Sequence, residues 1–291
     1  MGTTLSTDLV VPEILTEAIQ AEFAGMRLLA GTGAAVISGT LPANIKGGKT
    51  VTVPYFNALG EMEDIDTEGD ALTPEVLSMS EETAVTRHSG KAVELTMWAQ
   101  LAAQYADPYA EVARQFRELV ERRVDKALLD AAMASLPSDY IHDVYNSGSP
   151  VTLGYDQMVD ARLKWGDEQN DIVLLGTHSK VYGDLLKFKD TTNRPLLTDP
   201  ADGSVTRFAG VPVTVSDKNA KSTDTPPKYT SIIAKRAALA FWYQGTPRVR
   251  VGFDPLADTD VVAIHMYWAA HRYKRIRGAG TKPGIVKIVT N

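Results

Sequence analysis

The residues of this chain that come nearest to a chemical motif are acidic and lie between positions 61 and 75. Residues 64–75 have the spacing of a calcium-binding loop, with oxygen ligands at loop positions 1, 3, 5 and 12 and a glycine at position 6. The match departs at Glu68, where Asp or Asn is usual, and at Pro74, and no helical pattern flanks it. We interpret the segment as an acidic loop tip, with a weak divalent-ion site as the alternative.

A second motif, residues 43–50, reads Ala-Asn-Ile-Lys-Gly-Gly-Lys-Thr and matches the loose form of a phosphate-binding loop. That loop requires a helix after it, because the helix N-terminus and the backbone N–H groups hold the phosphates. The residues from Thr50 onward instead alternate as a strand does. We therefore interpret the two glycines as a turn and reject an NTPase.

Other catalytic constellations are missing from the sequence. The chain has no cysteine and no Gly-x-Ser-x-Gly motif, and its five histidines fall in no metal-ligand spacing. His265 and His271 are six residues apart in a predicted strand, which places them on one face. We predict no catalytic residue, no cofactor and no enzymatic activity. A metal-dependent α/β enzyme that uses the carboxylates of residues 61–75 is a remote alternative.

The composition of the 291 residues is that of a globular chain, with 44% hydrophobic residues. The sequence contains no run of 18 apolar residues, so we predict no membrane-spanning helix. Residues 1–8 lack the basic and apolar regions of a signal peptide, so we expect folding in a cytoplasm. The net charge of −6 argues against non-specific binding of nucleic acid by the chain as a whole.

The charges are segregated along the chain. Residues 50–86 contain no Lys or Arg, and their acids include Glu61, Glu63, Asp64, Asp66, Glu68 and Asp70. After Asp260 the charges are basic, and they include Arg272, Lys274, Arg275 and Arg277. Two interpretations are open: two solvated faces, or complementary charges on neighbouring subunits that steer their association.

The elements that carry these charges follow from periodicity. The pattern predicts a helix over 12–26, a strand over 50–56, and strands over 82–87 and 92–97, so that 50–97 forms a hairpin arm with an acidic tip. The firmest prediction is a helix that begins at Pro108, after the N-cap Asp107, and ends by Leu136. Its length is on the order of 40 Å at 1.5 Å per residue.

Residues 152–258 alternate between helix and strand patterns, which indicates an α/β unit. The predicted helices are 155–165 and 179–188, and the predicted strands are 171–175, 211–215, 230–234, 237–243 and 248–251. Two further strands are predicted over 260–276 and 285–289. A unit made from the middle and the end of a chain, with long arms left over, suits a subunit that interlocks with copies of itself.

This order of elements resembles the major capsid proteins of tailed bacteriophages, with the Hong Kong phage capsid fold that encapsulins share. The resemblance covers essentially the whole chain and implies an α+β fold. It implies an N-terminal arm at 1–45, an extended β-hairpin loop at 46–91, and a peripheral domain at 92–151 and 259–291 with the spine helix 108–136. The α/β axial domain would be 152–258, and the last strands would return to the sheet of the peripheral domain.

The function that the resemblance implies is self-assembly through pentamers and hexamers into an icosahedral shell that encloses phage DNA. The implied partners are copies of the chain, scaffolding and portal proteins, and double-stranded DNA bound without sequence specificity; no membrane is involved. The implied location is the virion, after assembly in the host cytoplasm. An encapsulin-type compartment is the main alternative. Our hypothesis for the subunit interface pairs the six acids named above with Arg272, Lys274, Arg275 and Arg277.

Overall fold

The structure, a computed structural model, describes residues 29, 31–38, 49–57, 59–60, 62–64, 71–97, 108–189, 206–274 and 282–291. Its strands are β1 Ala35–Ser38, β2 Thr50–Phe56, β3 Met79–Thr96, β4 Ile141–Asp143, β5 Ile172–Thr177, β6 Arg207–Phe208, β7 Val211–Val215, β8 Tyr229–Lys235, β9 Leu239–Tyr243, β10 Arg248–Asp254, β11 Thr259–Arg272 and β12 Ile285–Thr290. Its α-helices are α1 Pro108–Met133, α2 Tyr155–Leu163 and α3 Ser179–Lys187, and Ser138–Tyr140 forms a 3₁₀ turn.

The strands form two six-stranded sheets. Sheet I has the order β1-β9-β11-β3-β2, and β10 pairs with β11 beside β9. Sheet II has the order β4-β12-β8-β5-β7-β6. Sheet I is antiparallel except for the β1–β9 pair, and sheet II is mixed.

Helix α1 lies against both sheets. Its apolar residues recur about every four positions, at Val112, Phe116, Val120, Val124 and Leu128, so they form one stripe along the helix. The same buried core contains Leu239, Phe241 and Trp268 from sheet I and Leu174, Ile232 and Ile285 from sheet II. One apolar stripe therefore joins the two sheets.

The C-terminus of α1 is held by one cation from each sheet. Arg272 on β11 donates to the carbonyl oxygens of Ala134 at 2.9 Å and Ser135 at 2.7 Å. Lys287 on β12 donates to the carbonyls of Met133 at 2.7 Å and Ala134 at 2.9 Å. Burial lowers the pKa of both side chains, and the neighbouring Arg272 lowers that of Lys287 further. The terminal carbonyls, which lack helical partners and carry the negative end of the helix dipole, offset this loss of hydration.

A second core lies between sheet II and the helices α2 and α3. Met158 and Trp165 on the α2 side and Leu185 on α3 are fully buried with Ile233 and Val286 of the sheet. The Trp165 indole N–H donates to the Pro283 carbonyl at 2.7 Å. This core fixes the short helices to the face of sheet II.

Most of the predicted elements in the described residues are confirmed, with shifts of a few residues at their ends. The expected break between strands 82–87 and 92–97 is wrong: one strand of 18 residues, β3, runs through Ser89 and Gly90. Strand β11 pairs across that point, His265 opposite Gly90, so the sheet overrides the weak local preference. The predicted helix 12–26 lies outside the described residues.

The end of the chain also differs from the prediction. Strand β12 pairs with β8 and β4 in sheet II, so the expectation that both last strands share the sheet of β11 is wrong. Conversely, β9 and β10 pair with β11 in sheet I, although sequence analysis grouped them with the α/β unit. The short strands β1, β4 and β6 were not predicted, because two to four residues carry too little periodicity.

Within the described residues, no helix is both long enough and apolar enough to cross a membrane.

Replacing Lys287 with methionine tests the hold on α1. Lys287→Met keeps the length of the side chain and removes two hydrogen bonds from a charged donor, so the free energy of unfolding should fall by about 1–3 kcal/mol. The control Lys126→Met changes an exposed lysine of the same helix and should shift stability by less than about 0.5 kcal/mol. Urea unfolding of the unassembled subunit measures both, and equal effects would show that the cap does not stabilise the fold.

Candidate assembly interface

The hairpin arm consists of β2, the paired half of β3 and the loop between them. Within the described residues, strand β2 pairs with residues 79–85 of β3 and with no other strand, so it forms the outer edge of sheet I. Pro54 lies in this edge strand, where a missing N–H costs no ladder hydrogen bond. The described residues of the loop, 57, 59–60, 62–64 and 71–78, belong to the connection between the paired ends of β2 and β3.

The base of the arm is anchored by a small apolar cluster. Val51 of β2 and Ala84 of β3 pack against Ala240, Trp242 and Ala269 on the face of sheet I that points away from α1. The strand register accounts for this contact, because Val51 is directly opposite Ala84. The cluster ties β2 to the strands β9 and β11.

A buried polar pair lies beside this cluster. The Glu82 carboxylate, 3% exposed, is 2.6 Å from Nε2 of the buried His271. Glu82 also accepts the backbone N–H of Lys274, with distances of 3.1 and 3.2 Å to its two oxygens. Glu82 thus fastens β3 to the end of β11, where the arm leaves the sheet.

The tip of the arm is held by contacts within the arm itself. Glu75 accepts the N–H of Gly60 at 2.9 Å, and Glu63 accepts the N–H of Thr73 at 3.0 Å. At the start of the loop, Asn57 donates to the Ser78 hydroxyl at 2.8 Å. Two of the acids at the tip are therefore also part of its own scaffold.

The arm exposes apolar side chains as well as charge. Met62 is 99% exposed and Val76 is 85% exposed. Six more large apolar side chains of the arm are more than half exposed: Phe56, Leu59, Leu72, Leu77, Met79 and Val85. So many exposed large apolar side chains in one segment indicate a surface that associates with another protein.

The predicted acidic residues are only partly described. Glu63 and Asp64 are exposed at the tip. Glu61, Asp66, Glu68 and Asp70 lie outside the described residues, and so does most of the calcium-like loop. In the part of the chain that the structure describes, no group of three His, Asp or Glu residues could hold a metal ion. For residues 43–50, Thr50 begins the strand β2, as predicted.

The predicted basic partners have different environments. Arg272 is engaged by the carbonyls at the end of its own helix α1. The Lys274 side chain is exposed at the base of the arm. Arg275 and Arg277 lie outside the described residues. The pairing of the acids with these four cations stays a prediction.

A different cationic group, which the sequence does not reveal, lies on sheet I. His88 of β3, His265 of β11, and Arg248 and Arg250 of β10 line one recess. The alternation within each strand was visible in the sequence, but only the strand register places the three strands side by side. We call this group the cationic recess.

The fold is shared with solved phage capsid structures. Across 91% of both chains, the structure matches that of Microbacterium phage Oxtober96 with a TM-score of 0.61 at 16% identity. The capsid of Ralstonia phage GP4 matches with a TM-score of 0.62 at 10% identity, over 92% of this chain and 90% of that one. The cyanophage Pam1 capsid asymmetric unit matches over 93% of both chains, with a TM-score of 0.62 at 13% identity. This is the phage capsid fold with which sequence analysis found a resemblance.

The family is shown by a sequence model. Residues 13–240 match the Gp13-like family, described as major capsid protein 13-like. The chain therefore belongs to this family of major capsid proteins. It is a structural protein of the phage virion that associates with itself to form the capsid, as predicted. No curated protein matches the chain.

Replacing Glu82 tests the anchor of the arm. Glu82→Ala leaves the His271 ring and the Lys274 N–H without their buried partner, which should cost about 1–3 kcal/mol for each unsatisfied group. Amide exchange in β2 and in residues 79–86 should accelerate. The control Glu81→Ala removes the exposed neighbouring carboxylate and should leave exchange unchanged. Similar exchange in both variants would contradict a role for Glu82 in fixing the arm.

Proposed function

We propose that this major capsid protein assembles through pentamers and hexamers into an icosahedral shell around the phage DNA, with the arm of each subunit lying on its neighbour. The exposed surface of the arm is the observation that supports this proposal. Its tip exposes Met62 and Val76 almost completely, and its hydrogen bonds run to other residues of the arm. We infer that another chain covers that surface.

Assembly of this kind gains stability from repetition. Each arm contributes a modest contact, but every subunit both donates and receives one, so the contacts act together in a closed shell. The isolated subunit has its own core around α1, so it can fold before it assembles. Its arm acquires a buried environment only in the shell.

Other phage components and the host cytoplasm take part in assembly under this proposal. Scaffolding and portal proteins act during assembly, and the double-stranded DNA is enclosed without sequence-specific contacts. Assembly takes place in the host cytoplasm. The subunit performs no catalysis. The division into a peripheral domain around α1 and sheet I and an axial domain around sheet II is supported by the two cores, although both sheets also meet at α1.

Electron microscopy with light scattering of the purified chain tests shell formation. We expect closed shells, rings of five or six subunits, or extended sheets. A monomer or dimer at high concentration, unchanged by crowding agent or scaffolding protein, would contradict the proposal.

The arm variant Asp64→Lys tests its charge. Asp64 is exposed, and in contrast to Glu63 no backbone N–H of the described residues is bonded to it. Charge reversal should therefore reduce shell formation by at least about tenfold without lowering the unfolding midpoint, since like charges across an interface suppress association. The control Asp130→Lys makes the same charge change on α1. Normal shells from Asp64→Lys would show that charge at the tip does not direct assembly.

A further inference from the structure

The cationic recess lies on the face of sheet I that points away from α1. It has a volume of about 600 Å³ and is lined by His88, His265, Arg248, Arg250 and Tyr267, among others. The register places Arg248 opposite His265, and His88 opposite Tyr267. Directly opposite residues of antiparallel strands share a face, so β3, β10 and β11 each contribute polar groups to the same surface.

Gly90 makes the arrangement of the two histidines possible. It is opposite His265, and a Cβ at this position would lie 2.8 Å from the Ile264 carbonyl oxygen and 3.1 Å from Nδ1 of His265. Without that Cβ, the His265 ring reaches toward β3, and its Nδ1 is 3.1 Å from Nε2 of His88. The His88 ring stacks on Tyr267 with a centroid distance of 4.4 Å.

The recess has an excess of positive charge. Arg248 and Arg250 are exposed, and neither forms an ion pair or a side-chain hydrogen bond with the described residues. By strand register, the other charged groups on this face are Glu94 on β3, Asp254 on β10, Lys49 next to β2, and the buried Glu82 with His271 at the far end. Two exposed carboxylates therefore share this face with two arginines, a lysine and the histidine pair.

We propose that the cationic recess binds carboxylates of the arm tip of a second copy. The proposal rests on the proposed function, because it names the acceptor for the arm. The occupant follows from charge: residues 50–86 contain no Lys or Arg, and Glu63, Asp64 and Glu75 are exposed at the tip. The arm carries carboxylates and no Lys or Arg, whereas the recess is lined by arginines. The two surfaces therefore have complementary charge.

The arm that fills the recess belongs to another subunit. Nine residues of β3 separate His88 from Met79, where the arm loop begins, and at about 3.4 Å per residue this is a distance of roughly 30 Å. The hydrogen bonds described for the loop remain within the arm. In addition, Arg272 already donates to carbonyls at the C-terminus of α1 in its own chain. The two arginines of the recess are therefore more available to a carboxylate than Arg272 is.

Packaged DNA is the competing occupant, because phosphates also bind arginine. The carboxylates are favoured by the net charge of −6, which opposes non-specific attraction of DNA to the chain. A charge swap distinguishes carboxylates of the arm from phosphates of DNA as the occupant.

A charge swap in full-length subunits tests the acceptor. Arg248→Glu with Arg250→Glu should raise the concentration needed for assembly by at least about tenfold, measured by light scattering, and adding Asp64→Lys should restore assembly in part. The matched control is Arg122→Glu with Lys126→Glu on exposed positions of α1. Thermal unfolding of the unassembled subunits checks that the recess variant folds.

The outcomes are distinguishable. Failure of the wild-type chain to assemble would overturn the proposed function. Shells from the wild type and from the recess variant at the same concentration would overturn only the acceptor. A third outcome is that a short double-stranded DNA binds the wild-type chain and not the recess variant, while adding Asp64→Lys to that variant fails to restore assembly. In that case the recess is a nucleic-acid site and the proposal is wrong.

Discussion

Helix α1 is the element on which both sheets depend. Its apolar stripe forms one core with residues of sheet I and sheet II, and its C-terminal carbonyls accept hydrogen bonds from Arg272 of one sheet and Lys287 of the other. The two cations come from strands in different sheets and meet at one helix end. Both lose hydration there, and the aligned carbonyls, together with the nearby charge of Glu82 for Arg272, compensate for that loss. A shift of either sheet along α1 would therefore leave a buried charge without a partner.

Strand β3 is the second constraint, because it is part of both the arm and the centre of sheet I. Its first half pairs with β2 in the arm, and most of its length pairs with β11 in the centre of sheet I. A single strand of 18 residues transmits the orientation of the sheet directly to the arm. The Glu82 contact to His271 and to the Lys274 backbone fixes the place where these two roles meet.

This arrangement suits the subunit of a shell. Sheet I presents a cationic recess on one face, and an arm that carries acids and exposed apolar side chains starts at the edge of the same sheet. Donor and acceptor surfaces on one chain, too far apart to meet within it, favour repeated association between copies. The recess and the arm share strand β3, so their relative orientation is the same in every subunit.

The sequence alone determined the element types, the long helix, the acidic arm and the kinship with phage capsid proteins, because periodicity and charge blocks are local properties. Only the tertiary structure decided which strands are neighbours. It placed β12 in sheet II, carried β3 through Gly90, turned Arg272 toward α1, and brought His88, His265 and Arg248 together. The pairing of β3 with β11 joins residues more than a hundred positions apart, and no local pattern encodes that register.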